Sequence, residues 1–196
     1  VRMEHDGLSP EKGPVVVSGA TGGVGSIAIA ILARRGYHVV ALTGKEAESD
    51  YLKHLGAKEV MLRQSLDLAK IKPLGKETWA GAVDNLGGDV LAWMASTMQV
   101  GGTLAAIGLA ASFSLNTTVM PFILRGVSLL GIDSVNCPMA QRAEVWRHLA
   151  TDMRPAHLAA GQGGMTRDIA FADLPAAFDD YIQGRARGRV VVNIAA

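Results

Sequence analysis

The residues best suited to chemistry stand in one run, Val15-Val-Val-Ser-Gly-Ala-Thr-Gly-Gly-Val-Gly-Ser26. Against the spacing G-x-G-x-x-G it offers Ala20, Gly22 and Gly25. Gly22 would let the backbone approach a pyrophosphate, and Gly25 would let a helix pack closely on the preceding strand. Ala20 in the first glycine's place keeps the turn small but departs from the strict pattern. A helix starting directly behind such a turn points free N–H groups and a partial positive charge at phosphates. A glycine-rich turn can also do no more than join a strand to a helix, so the surrounding elements decide between the two.

A second group stands about twenty residues on. In a nucleotide-binding βαβ unit the end of the second strand lies beside the adenine ribose, where an acid usually accepts from the 2′-hydroxyl of NAD. Here Val40 to Lys45 contains no acid and ends in Thr43, Gly44 and Lys45. A hydroxyl, an exposed N–H and a positive charge are partners for a 2′-phosphate, so the pattern points to NADP. The alternative is a solvated Lys45 at a helix start, its field weakened by Glu46. Arg63, just past the third strand, could stack on adenine or reach the extra phosphate; its spacing fits an ordinary surface arginine equally well.

The elements that must position these residues are legible in the apolar pattern. Val15 to Val17 reads as a buried strand, Ser26 to Arg35 as a helix stopped by Gly36, and Tyr37 to Leu42 as a second strand closing the βαβ unit. Tyr51 to Gly56 ends a short helix, and Glu59 to Leu62 is a third strand. Residues 64–80 form a polar connection. Trp79 to Val83 is a fourth strand ending at Asp84, which either faces the ligand edge or caps the next helix, Val90 to Met98. Gly101 to Gly108 is a turn and fifth strand whose end, Gly108-Leu109-Ala110, faces the same crevice. Pro121 to Leu124 leads to a sixth strand, Val127 to Ile132. Six strands separated by helices predict an α/β fold, a doubly wound parallel Rossmann sheet.

From Pro138 the pattern changes. An amphipathic helix from Ala140 to Asp152, a glycine-rich loop at 161–164, a strand from Arg167 to Phe171 and a helix from Asp173 to Tyr181 are expected. The basic turn carrying Arg185, Arg187 and Arg189 then leads to a last strand, Val190 to Ile194. These residues are too few for an independent core and should leave apolar surface exposed. The predicted division is therefore 1–137, a nucleotide-binding domain, and 138–196, a piece of a second and mostly missing domain.

Composition narrows the function classes. Lysines and arginines number 19 against 18 acids, which excludes a global basic field for nucleic acid or anionic membrane. A single cysteine, Cys137, excludes an internal disulfide framework and a thiolate zinc cluster and fits a reducing cytosol. No apolar run is long enough to span a bilayer, and no signal segment is visible. The chain begins with Val1 and a polar stretch, which suggests a processed or excised N-terminus. The five histidines (5, 38, 54, 148, 157) show no ligand spacing, so no metal site is expected. Four positions after Tyr37, Tyr51 and Tyr181 stand Ala41, Leu55 and Arg185, so the Tyr-x-x-x-Lys acid of short-chain dehydrogenases is missing. No residue is nominated as acid or base.

Taken together, Gly19-Ala-Thr-Gly-Gly-Val-Gly25, Thr43-Gly-Lys45, Tyr51-Leu-Lys-His-Leu-Gly-Ala57 and Val83-Asp-Asn-Leu-Gly87 resemble the medium-chain dehydrogenase/reductases. The zinc-independent quinone-oxidoreductase branch is the most similar. Thr117-Thr-Val-Met-Pro-Phe-Ile-Leu-Arg125 and Gly131-Ile-Asp-Ser134 resemble its acryloyl-CoA reductase (NADPH) subfamily. The resemblance implies a cytoplasmic enzyme that delivers hydride from NADPH to the β-carbon of a short 2-enoyl-CoA. Carried over residue by residue, it implies cofactor contacts at Thr21, Gly22, Gly23, Val24, Thr43, Gly44, Lys45, Arg63, Leu109, Ile123, Ser134 and Gly188. It also implies a homodimer pairing the edge strands at Val127 to Ile132. Members of the family are much longer, with an N-terminal GroES-like catalytic domain to which residues 138–196 would belong. Rival readings are a nucleotide-binding module without chemistry of its own, and a quinone reductase.

Overall fold

The computed structural model describes residues 1–158 and 163–194. Three fully buried valines build β1 (Val15–Val17). With both faces of a parallel sheet covered, such a strand needs no polar alternation. β1 pairs in parallel with β2 (Val39–Thr43) on one side and β4 (Trp79–Asp84) on the other. β3 (Glu59–Leu62), β5 (Met98–Ala106) and β6 (Ser128–Gly131) complete six parallel strands in the order 3-2-1-4-5-6. The fold is the doubly wound sheet expected. Its winding reverses between β1 and β4, and ligands bind beyond the carboxyl ends of strands at such a switch point.

The period of two divides the core. Val15, Val17, Val39 and Ala41 face α2 (Gly23–Arg34) and α3 (Ser49–His54), packing with Ile29 and Leu52. Val16, Val40 and Leu42 turn to the opposite face, with Leu104, Met98 and Met94 of α4 (Gly88–Thr97). Helix α1 (Arg2–His5) precedes the sheet and α5 (Met120–Arg125) precedes β6.

Of the boundaries that differ from expectation, three follow from glycines. α2 begins at Gly23 rather than Ser26, because the last glycines of the turn are already helical. β5 begins at Met98, so the expected turn at Gly101 lies inside the strand. The pairing slips between Trp79 and Gly81 opposite Gly101, whose φ of +68° makes the irregularity. α4 is displaced towards its N-terminus because Gly87, at φ +70°, opens it.

Beyond β6 lie α6 (Met139–Ala150), β7 (Thr166–Ala170), α7 (Leu174–Ile182) and β8 (Arg189–Asn193). β7 and β8 pair only with each other among the described residues, as a two-stranded parallel sheet. Part of the expected loop at 161–164 lies outside the described residues. α6 buries no residue, and Trp146 on it is 65 % exposed. The tail is nonetheless anchored, because Met165 is 2 % exposed and joins the cluster of α2 and α3.

Candidate nucleotide site

The glycine turn owes its shape to Gly19, which the fingerprint alignment leaves out. Gly19 has φ +56° and turns the chain, whereas Ala20, in the first glycine's place, is a fully buried core residue. Gly25 permits the close approach: a Cβ there would lie 2.3 Å from the Gly19 carbonyl oxygen. Gly22 is the N-cap of α2, and no side chain caps the helix. The first intrahelical bond runs from Ser26 N–H to Gly22 O at 2.9 Å, so the amides of Gly23, Val24 and Gly25 have no acceptor within the helix. Those of Val24 and Gly25 are donors for an anion, whereas the Gly23 N–H faces Gly188 across the parallel bridge between Gly22 and Gly188.

Asp84 does not face the ligand. It is fully buried; its carboxylate accepts from Ser18 Oγ at 2.7 Å and from the Leu86 and Gly87 amides. Asn85 Nδ2 donates to Ser18 O at 2.7 Å. Asp84 therefore fixes the loop after β4 against the end of β1, a positioning role nearer the capping alternative. Beyond it, Gly108 passes so close to Asn85 that a Cβ would lie 2.6 Å from its carbonyl oxygen.

These segments enclose a cleft of about 680 Å³ over the carboxyl ends of β1, β2, β4 and β5. Thr21 to Val24, Thr43, Gly44, Lys45, Arg63 and Leu109 all line it. At its β2 end Thr43 Oγ1 accepts from the Lys45 N–H at 3.0 Å. The Arg63 guanidinium lies over Gly44, 3.6 Å from where a Cβ would stand. Lys45 Nζ donates to Ala186 O, and burial outweighs the nearby Glu48 to lower its pKa. Glu48 is engaged by Arg187 at 3.2 Å, so the acid nearest this end of the cleft is already paired.

Three expected contacts lie elsewhere. Ile123 is 72 % exposed on α5, outside the cleft lining. Ser134 lines a separate apolar groove of about 500 Å³ between α1, α2, α6 and the sheet. Gly188 is buried behind the glycine turn, forming an isolated bridge with Gly22 and donating its N–H to Thr21 O at 2.8 Å. The cleft is lined instead by Gln183, Gly184 and Ala186 of the same basic turn, and by Asn85 and Leu86. Arg189, also not anticipated, lies against the first residue of α2: a Cβ on Gly23 would stand 2.5 Å from its Nε. The run of three arginines marked this turn, but only long-range docking brings it to the glycine turn.

Residues 23–151 match the zinc-binding dehydrogenase family. The chain belongs to that family. It corresponds to the C-terminal portion of medium-chain dehydrogenase/reductase proteins. It is 49 % identical over 193 residues to YhfP of Bacillus subtilis (strain 168), which bears a quinone-oxidoreductase name, covering 98 % of this chain and 58 % of YhfP. The crystal structure of YhfP with NAD bound superposes with a TM-score of 0.90 over the same shares. Acrylyl-CoA reductase AcuI of Ruegeria pomeroyi is 46 % identical over 194 residues, 99 % of this chain and 58 % of that protein. The YhdH oxidoreductase of Salmonella enterica, solved with NADP, is 45 % identical with a TM-score of 0.91, covering 98 % of this chain and 58 % of its own. The chain thus spans less than two thirds of the length of these relatives. Despite the family's name, no group of three or more His, Cys, Asp or Glu among the described residues could hold a metal ion. No helix among them is long and apolar enough to cross a membrane.

Proposed function

We propose that this chain is the cofactor-binding part of an NADPH-dependent oxidoreductase that reduces the activated C=C bond of a short 2-enoyl-CoA, acryloyl-CoA to propanoyl-CoA. One observation carries the reading: the cleft is lined by the start of α2, where the Val24 and Gly25 amides have no acceptor within the helix, and by the acid-free Thr43-Gly44-Lys45 segment with Arg63. A pyrophosphate would lie on the amides of Val24 and Gly25, with Arg189 near the start of the helix. The adenosine 2′-phosphate would meet Lys45 and Arg63. Leu109, which follows β5 and lines the same cleft, would then lie against the nicotinamide. NADPH supplies the hydride, and this chain's residues hold and orient it.

Acrylyl-CoA reductase AcuI supports the substrate class. YhfP, with its quinone-oxidoreductase name and bound NAD, supports a second reading, a quinone reductase with looser cofactor choice. In either case residues 138–196 belong to a GroES-like catalytic domain, which would explain the separate β7–β8 sheet and the bare α6. That domain would supply the opposite wall of the cleft. In the whole protein a homodimer would pair the β6 edges, in the cytoplasm.

This chain alone should bind NADPH without turnover. An enoyl thioester needs to be held near attack distance, and lost positioning removes roughly 7–11 kcal/mol of barrier lowering. Mixing the chain with NADPH while following nucleotide fluorescence, then adding acryloyl-CoA and following absorbance, tests both halves. No binding sinks the cofactor reading. Rapid substrate-dependent oxidation would show a complete active site and remove the module reading. Comparing enoyl-CoAs with quinones in the longer protein decides between the two substrates.

A further inference from the structure

Residues 183–188 are clamped to two of the segments that form the nucleotide cleft, the glycine turn and the end of β2, and to residues 48–51 beside them. Gly188 is held by the Thr21 carbonyl and bridged to Gly22 in the glycine turn. Ala186 O accepts from Lys45 Nζ at the end of β2. Arg187 pairs with Glu48 at 3.2 Å, and its guanidinium carbon stands 4.6 Å from the centre of the Tyr51 ring. Tyr51 Oη in turn donates to Ser26 Oγ of α2 at 2.9 Å. The turn holds its own shape through Asp180, whose carbonyl accepts from the amides of Arg185 and Ala186 at 2.8 and 3.0 Å. The Asp180 carboxylate pairs with Arg185 at 3.0 Å.

The consequence falls on Lys45. Its ammonium has three donors, of which one is directed to Ala186 O, leaving two for phosphate oxygens. A free lysine must give up its rotamer freedom when it meets a ligand; one already anchored has done so beforehand. Burial under the turn also disfavours the charged ammonium. A phosphate beside it offsets that cost, and a 2′-hydroxyl does not.

We propose that the turn at 183–188 is a specificity-determining part of the nucleotide site: docked on the glycine turn, it positions Lys45 through the Ala186 carbonyl, so that a dinucleotide with a 2′-phosphate is distinguished from one without it. The inference rests on the reading above, in which Lys45 meets the 2′-phosphate. Arg187 is a positioning residue here, acting through the turn and touching no cofactor.

Arg187→Ala removes the ion pair and the ring contact while leaving Lys45 and Arg63 in place. In titrations, affinity for NADPH should fall roughly three- to tenfold while affinity for NADH stays within about twofold. Arg187→Lys keeps the charge and should restore most of the loss. In a Lys45→Met background, Arg187→Ala should have no further effect. Gly188→Ala provides a second route to undocking, since its φ of +57° is left-handed and a Cβ would meet the Met165 carbonyl oxygen. Faster hydrogen exchange in 183–193 reports the undocking in both variants. Equal losses for NADPH and NADH, or an unchanged ratio in both variants, would overturn the proposal. If Lys45→Met changes the ratio and these variants do not, this inference alone fails. If Lys45→Met leaves the ratio unchanged, the assignment of the 2′-phosphate fails with it.

Discussion

Gly22 and Gly188 lie side by side in a parallel bridge, one the N-cap of α2 in the glycine turn and the other the residue just before β8. Through that contact the last strand is tied to the first α/β unit. Gly188 has no room for a side chain, as its Cβ would stand 2.0 Å from Met165 O. Gly188→Ala should cost about 1–3 kcal/mol of stability through strain at a left-handed position. Denaturant unfolding would measure it; an unchanged midpoint would mean that the bridge contributes nothing to holding the tail.

Gly25→Ala should act on both cofactors. The obstacle to its Cβ is backbone, the Gly19 carbonyl oxygen, so α2 or the turn must shift. NADPH and NADH binding should both fall by roughly tenfold or more, because the helix amides move from the pyrophosphate. Calorimetry with both nucleotides checks this, and a loss confined to one of them would contradict the placement of the pyrophosphate.

Lys45→Ala should separate the cofactors. A charge-assisted bond to phosphate contributes on the order of 1.5–3 kcal/mol, so NADPH affinity should fall about tenfold or more while NADH affinity barely changes. Similar losses for both nucleotides would remove Lys45 from the 2′-phosphate.

The same lysine gives a pH dependence. Burial holds its pKa below the 10.5 of an ordinary lysine, with Glu48 opposing the shift. The folded chain therefore binds fewer protons there than the unfolded one, and Lys45's contribution to stability improves as pH rises through that window. Binding has the opposite sign, since the phosphate needs the ammonium. NADPH affinity should be full at neutral pH and decline as pH climbs through the lowered pKa, with NADH affinity unaffected by this group. Titrations across alkaline pH test it; a flat NADPH profile that Lys45→Ala does not alter would count against it.

β6 is one of the two outer strands of the sheet. Ile132 N–H is directed to Ala106 O of β5, so by the alternation of a parallel ladder the amides of Leu129 and Gly131 face outwards. Leu129→Pro should remove one outward donor without breaking the β5–β6 ladder, and should weaken an edge-paired dimer. Sedimentation of wild type and variant reads this directly. Were the wild-type protein a monomer at all concentrations, the edge would be closed in some other way.

The sequence by itself determined the sheet and many of the residues that line the candidate cleft. Three buried valines, a glycine turn and a helix stopped by Gly36 are local signals, because backbone conformation and the apolar period act over a few residues. The missing acid between Val40 and Lys45 was equally local, and Lys45 and Arg63 both line the cleft, with Arg63 over Gly44. Tertiary structure decided the rest. Gly19, not Ala20, makes the turn, because the core claims the alanine's methyl group. Asp84 is spent inside the fold, held by Ser18 and two amides, which no strand-end position reveals. Ile123 and Ser134, carried over by resemblance, stand outside the cleft, whereas Gln183, Gly184 and Ala186 line it. Their position depends on hydrogen bonds and ion pairs between residues far apart in sequence. Such contacts follow from how the chain packs, and no local spacing encodes them.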